Sequence, residues 1–104
     1  MNRKFLQFTI GESLEKVLIS ANAEYFIKVS DSTFLSIVLL GGASLSSVIN
    51  ITFQYEDESY KSHYAIIDAL ALANSTASNP SIIISPDLPN VGKDKQIIKS
   101  VDIK

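Results

Sequence analysis

Apolar and polar residues alternate through most of the first half of the chain, the two-residue period of strands with one face buried. Leu6, Phe8 and Ile10 alternate with Gln7 and Thr9, which predicts a first strand over 4–10, closed by the turn Gly11-Glu12-Ser13. A short second strand is expected over 16–20, with a tight turn at 21–23. A third, over 24–30, places Tyr25, Ile27 and Val29 on one face. Asp31-Ser32 supplies turn residues whose short side chains bond the local backbone.

The fourth strand, 33–40, carries Phe34, Val38 and Leu40 on one side and Leu35, Ile37 and Leu39 on the other. Both sides need cover, so it belongs inside a sheet. Gly41-Gly42 ends it, and 43–47 reads as a loop of small residues. The fifth strand, 48–55, has the cleanest alternation: Ile49, Ile51, Phe53 and Tyr55 face a core, while Asn50, Thr52 and Gln54 face water or a polar partner.

The period then changes to that of a helix over 60–74, with Ile66, Ile67, Leu70, Ala71 and Ala73 inward and Lys61 and Asp68 outward. Asp57 or Ser59 stands where it can cap the first turn, and the acidic run 56–58 lies at the positive end of the helix dipole. A loop over 75–80, a short buried strand over 82–84, a loop stiffened by Pro86 and Pro89, and a last strand over 96–103 complete the order.

Short connections between the early strands favour antiparallel pairing. One helix cannot cover both faces of a flat sheet of that width, so the sheet must curl or a second subunit must cover it. The fold class is therefore α+β, mainly β. The expected architecture is a strongly bent antiparallel sheet or small open barrel, Sm-like or a roll, of about seven strands with one packed helix. Ile and Val total 20 against 10 Leu, which supports strands because β-branched side chains suit a pleated surface. The 104 residues make one domain, and 46% apolar against 19% charged residues excludes a disordered chain.

A net charge of −2 gives no general attraction to nucleic acid or anionic lipid. The absence of Cys removes disulfides, thiolate metal sites, iron–sulfur clusters and cysteine nucleophiles. The uncharged stretch between Asp31 and Glu56 is long enough to cross a bilayer, yet polar residues such as Ser36, Ser44, Ser46, Ser47, Asn50, Thr52 and Gln54, together with Gly41-Gly42, interrupt it. Two strands joined by a turn explain it better than a spanning helix. Gln7 and Thr9 break the apolar part of any secretion signal. A protein without a membrane segment, cytoplasmic or virion-associated, is expected.

Candidate chemistry is sparse. His63 is the only imidazole, and Glu56, Asp57 and Glu58 lie nearby, but the residue four beyond His63 is Ile67 and the three carboxylates do not converge on a strand or loop. His63 reads as a histidine at the core edge, beside Ile67 and Leu70. The fifteen serines find no second base, and Gly41-Gly42-Ala43-Ser44 lacks the lysine of a phosphate loop. No catalytic residue, metal ligand or cofactor is assigned. Lys93, Lys95 and Lys99 are the candidate nucleic-acid contacts under the alternative reading; otherwise such lysines guard an exposed edge strand against pairing. Phe5, Phe26, Phe34, Tyr55, Tyr60 and Tyr64 have faces on which bases could stack, but most fall at expected core positions.

The succession of residues 17–27, a short strand, tight turn and strand, then Ile49-Asn50-Ile51-Thr52-Phe53 and the Ala/Leu-rich helix, resembles small proteins of marine phages and environmental samples. Some of these look like Sm-like barrels, whose bent sheets assemble into rings. The chain begins with a strand rather than the helix of RNA-binding Sm families, and it lacks their Asp-x-x-x-Asn signature and Arg-Gly pair. The resemblance therefore implies a bent, self-assembling sheet and transfers no RNA-binding residue. The expected function is a non-enzymatic structural or interaction module, homo-oligomeric and phage-encoded. The alternative is a small β-barrel that binds nucleic acid or another ligand.

Overall fold

The computed structural model describes residues 4–11, 15–20, 24–41, 45–75 and 82–103. Five strands come first: β1 (Lys4–Ile10), β2 (Glu15–Ser20), β3 (Glu24–Asp31), β4 (Phe34–Gly41) and β5 (Leu45–Phe53). The helix α1 (Lys61–Ser75) follows, then β6 (Ile82–Ile84), β7 (Asn90–Val91), β8 (Asp94–Lys95) and β9 (Ile98–Ile103). The main sheet runs in the order β2-β1-β9-β5-β4-β3, with β6 beside β1. The architecture is the expected one, mainly β with a single helix.

Connectivity shows how far the sheet bends. β2 and β3 lie at opposite ends of the order, yet only three residues separate them in sequence. Six strands laid flat would put about 24 Å between the outer two. Four peptide steps from Ser20 to Glu24 span at most about 14 Å. The sheet must curl until its two ends approach each other. They do not join, because β2 and β3 share no ladder among the described residues.

β1 supplies part of that curl by branching. Its one edge pairs antiparallel with β2 (Leu6 opposite Ile19, Phe8 opposite Val17). Its other edge is shared: residues 4–6 run parallel to β6, while Ile10 meets Ile98 of β9. At this divergence Gly11 donates its amide to the Ile98 carbonyl at 3.0 Å. A Cβ at Gly11 would overlap the Ile97 side chain, so the close approach requires glycine.

The inward faces of both sheet halves meet in one core. Leu6, Phe8 and Ile19 come from one half, Leu35, Ile37, Ile49, Ile51, Phe53 and Ile98 from the other, and Ile66, Ala69, Leu70 and Ala73 from the helix. Each large apolar side chain so buried contributes roughly 1.5–3 kcal/mol relative to exposure. Ile49, Ile51 and Phe53 are buried as their alternation predicts, and β4 is an interior strand.

Several expectations need correction. The sheet is mixed, since β1 runs parallel to β6 and β9. β5 begins at Leu45, so three residues expected in a loop are in the strand, held by pairing with β4 (Ser46 opposite Leu40). Ala71 is exposed and Ala69 takes its place inside. The prolines precede a small hairpin of β7 and β8, which falls in and just after the expected loop and before the strand expected from Gln96. Gly92 (φ 64°) occupies the first of its two turn positions, where a left-handed conformation is required. β9 stands between β1 and β5 in the sheet order, but it meets β1 only at Ile98, opposite Ile10, so among the described residues Lys99 has a neighbouring strand on the β5 side alone. The expected turns at 12–13 and 21–23 and the loop at 76–80 lie outside the described residues. Among the described residues no helix is long and apolar enough to cross a membrane.

Candidate functional site

Among the described residues, four buried polar side chains, Asp57, Ser62, His63 and Gln96, gather where α1 begins, while buried Ser36 donates to Asn50 Oδ1 (2.7 Å) between β4 and β5. The chain leaves β5 through Gln54 and Tyr55 and turns into the helix at Tyr60, whose φ of 60° is left-handed. That reversal lets Asp57 fold back over the helix start. One carboxylate oxygen accepts from the Ser62 amide (2.7 Å) and hydroxyl (2.8 Å), the other from the Ser59 amide (3.2 Å) and hydroxyl (2.7 Å). Asp57 thus caps an amide in the first helical turn, as anticipated, although it stands four residues before the first helical residue. Burial pushes its carboxyl up, but the Ser59 and Ser62 hydrogen bonds outweigh burial and hold it down at about 2.

Ser62 passes the network on. Its hydroxyl donates to Asp57 and accepts from Gln96 Nε2 at 3.0 Å. The Gln96 carboxamide is buried and used completely. Nε2 also donates to the Tyr55 carbonyl (2.8 Å), and Oε1 accepts the amides of Tyr55 (2.9 Å) and Ile97 (3.1 Å). One chain of hydrogen bonds therefore ties the helix start to the exit of β5 and the approach to β9.

His63 sits deeper than its predicted place at the core edge, at 1% exposure. Its Nε2 faces the carbonyls of Asp31 (3.0 Å) and Phe34 (3.2 Å). Carbonyl oxygens only accept, so this nitrogen carries the proton and pins the helix to the β3–β4 turn. The ring stands edge-on to Phe53, centroids 5.0 Å apart, and tilted against Tyr60 at 4.8 Å. Its Nδ1 is buried without a hydrogen-bonding partner among the described residues. The same turn is braced by the Asp31 carboxylate, which accepts the Thr33 amide (2.8 Å) and hydroxyl (2.9 Å); these bonds hold its carboxyl below the ordinary range.

This arrangement is built for fastening. Ser62 and His63 are neighbours in sequence, but the Ser62 hydroxyl faces Asp57 and Gln96, and the imidazole Nε2 faces two carbonyls. A nucleophile-and-base pair needs those two side chains to bond each other. Glu56 and Glu58 are exposed, and among the described residues no three His, Cys, Asp or Glu side chains gather to hold a metal.

The candidate lysines lie in the β7–β8 hairpin and on β9. Lys93 is exposed in the β7–β8 turn, and Lys99 is exposed on β9. Lys95 on β8 forms an ion pair with Asp87 at 3.2 Å. None of the six aromatics expected mostly in the core is buried: Phe5, Phe34 and Tyr55 are half-buried, and Phe26, Tyr60 and Tyr64 are exposed. Phe5, Phe26 and Phe34 have the parity of the outer face, Tyr60 and Tyr64 lie at the helix start, Tyr55 follows β5, and the buried aromatics among the described residues are Phe8 and Phe53. An open groove of about 470 Å³ runs between α1 and the segment after β6, with Tyr64, Ala69, Leu72, Ile84, Pro86 and Pro89 among its lining.

No protein-family model, curated protein or solved structure matches the chain. The residue that links most of the buried cluster, Gln96, was not legible as such in the sequence, nor was the left-handed backbone at Tyr60. Gln96 meets Tyr55 and Ser62 across separations of 41 and 34 residues, so no local pattern marks it.

Proposed function

We propose that the protein is a non-enzymatic structural or interaction module that self-assembles through the open ends of its sheet. The observation that carries this reading is the character of the two end strands. Among the described residues, β2 and β3 each have one edge with no neighbouring strand, and both display large apolar side chains, Leu18 on β2 and Phe26 and Val29 on β3. An unpaired strand edge offers a row of backbone donors and acceptors to another strand. The bulge of β3 lies beyond Val29, so residues 24–29 keep a regular register with β4. Two-fold and cyclic homo-oligomers are the common closed solutions for such edges. Asp57, Ser62, His63 and Gln96 support a structural role because their hydrogen bonds join the helix start to the sheet.

Light scattering on the purified chain tests the reading. A mass that is a multiple of 11.4 kDa supports it. A mass of one chain, unchanged on concentrating into the high micromolar range, overturns it.

A further inference from the structure

We propose that β3 pairs with β3 of a second copy, antiparallel and centred on Phe26. The inference rests on the self-assembly reading and specifies its edge, partner and register.

β3 is an end strand, and Phe26, at 52% exposure, stands on its outer face beside Lys28, which is also exposed. On β4 the residues opposite are Val38 for Phe26 and Ser36 for Lys28, and on β5 Val48 stands opposite Val38. Phe26, Val38 and Val48 therefore form an apolar row across three strands that ends at the open edge. A continuing strand would extend it.

Symmetry limits the registers. A two-fold axis normal to a continuous sheet keeps each face on its own side, so paired positions must share a face. Centring the pair on Lys28 sets Lys28 against Lys28, which like charges disfavour. Centring it on Ile27 sets Lys28 against Phe26. Centring it on Phe26 sets Phe26 against Phe26, Tyr25 against Ile27, and Lys28 against position 24, which is Glu. Only this last register continues the apolar row across the axis and places opposite formal charges at both ends. A lysine on an edge strand ordinarily blocks unselective pairing. Here Lys28 selects a strand with an acidic residue four positions from a lysine, which β3 itself supplies. That complementarity within one sequence favours a second copy over a foreign strand.

The experiment uses Lys28→Glu and Glu24→Lys, each followed by light scattering and sedimentation beside the wild type. The wild type should have the mass of two chains, about 23 kDa as twice 11.4 kDa. Each variant alone sets like charges against each other twice and should dimerise at least ~10-fold more weakly. Mixed in equal amounts, the two variants should form a heterodimer of two-chain mass, because each Lys then faces a Glu. That rescue also shows that both variants fold. Variants that dimerise as the wild type does, or a mixture that stays monomeric, overturn the register while leaving self-assembly in place. A larger wild-type assembly likewise overturns the two-fold pair alone, and a monomeric wild type overturns both readings.

Discussion

Gln96 pairs with Tyr55 as one strand residue pairs with another. Its Oε1 accepts the Tyr55 amide at 2.9 Å and its Nε2 donates to the Tyr55 carbonyl at 2.8 Å. The side chain continues the β5–β9 ladder past the point where the backbone ladder ends at Phe53 and Ile98. It also reaches the helix through Ser62.

Replacing Gln96 tests this. Gln96→Ala leaves the half-buried Tyr55 amide and carbonyl without their partner, and unmet groups cost roughly 1–3 kcal/mol each where water cannot replace it. The expected loss is at least ~2 kcal/mol in urea unfolding, with the slope against denaturant unchanged. Gln96→Glu keeps the acceptor and loses the donor, and it should destabilise the fold as well. An alanine variant within ~0.5 kcal/mol of the wild type would mean that water serves Tyr55 equally well.

Asp57 gives the fold a dependence on acid. Its folded carboxyl lies at about 2 and its ordinary value is 3.8. Above the ordinary value the group is ionised in both states and its full contribution is present. As pH falls through that value, the unfolded chain takes up a proton while the folded one does not, which favours unfolding. Below about 2 both are protonated and the contribution is gone. A gap of that size corresponds to about 2 kcal/mol. Asp31, also depressed, acts in the same direction. Wild-type stability should therefore fall between about pH 5 and pH 2, and Asp57→Asn should be less stable at neutral pH with a flatter acid profile. Parallel profiles for the two proteins would show that the Asp57 carboxylate is not what the fold loses in acid.

The strands were legible because their signal is local. β1, β3, β4, β6 and the helix lie within a residue or two of where alternation and helical spacing put them, and Ile49, Ile51 and Phe53 point inward as expected. What was not legible depends on pairs distant in sequence. β2 and β3 look like a hairpin, with three residues between them, but each finds its neighbour elsewhere. β9 reads as a lysine-bearing edge; β5 runs along it, and the single meeting of its Ile98 with Ile10 of β1 leaves no local mark in the sequence. Phe26 and Phe34 look like core residues by type, and they stand on the outer face, in the parity that carries Lys28 and Ser36. In the buried cluster the cap at Asp57 was readable from the acidic run before an apolar helix. The tie from Gln96 to Tyr55 was not, because it is decided by where two strands come together.

Tyr60 provides the sharpest local test. Its φ of 60° is one that L side chains adopt at a cost of roughly 1–2 kcal/mol, because Cβ crowds the backbone. The structure tolerates this where the Asp57 carbonyl accepts the Tyr60 amide at 3.0 Å, the Tyr60 carbonyl receives the first helical bond from Tyr64 at 3.0 Å, and the Tyr60 ring lies against His63. Tyr60→Ala and Tyr60→Gly both remove the ring, so comparing them isolates the backbone. At an ordinary position glycine is the less stable of the two by roughly 0.5–1 kcal/mol, through its greater freedom in the unfolded chain. At a left-handed position the order reverses, because only alanine carries the crowded Cβ. The glycine variant should therefore be the more stable by ~1 kcal/mol, a difference of roughly 4–8 °C in Tm for a domain of this size. Alanine more stable than glycine in thermal unfolding would show that the chain enters the helix by another path, and the reach of Asp57 over its first turn would have to be explained without the reversal at Tyr60.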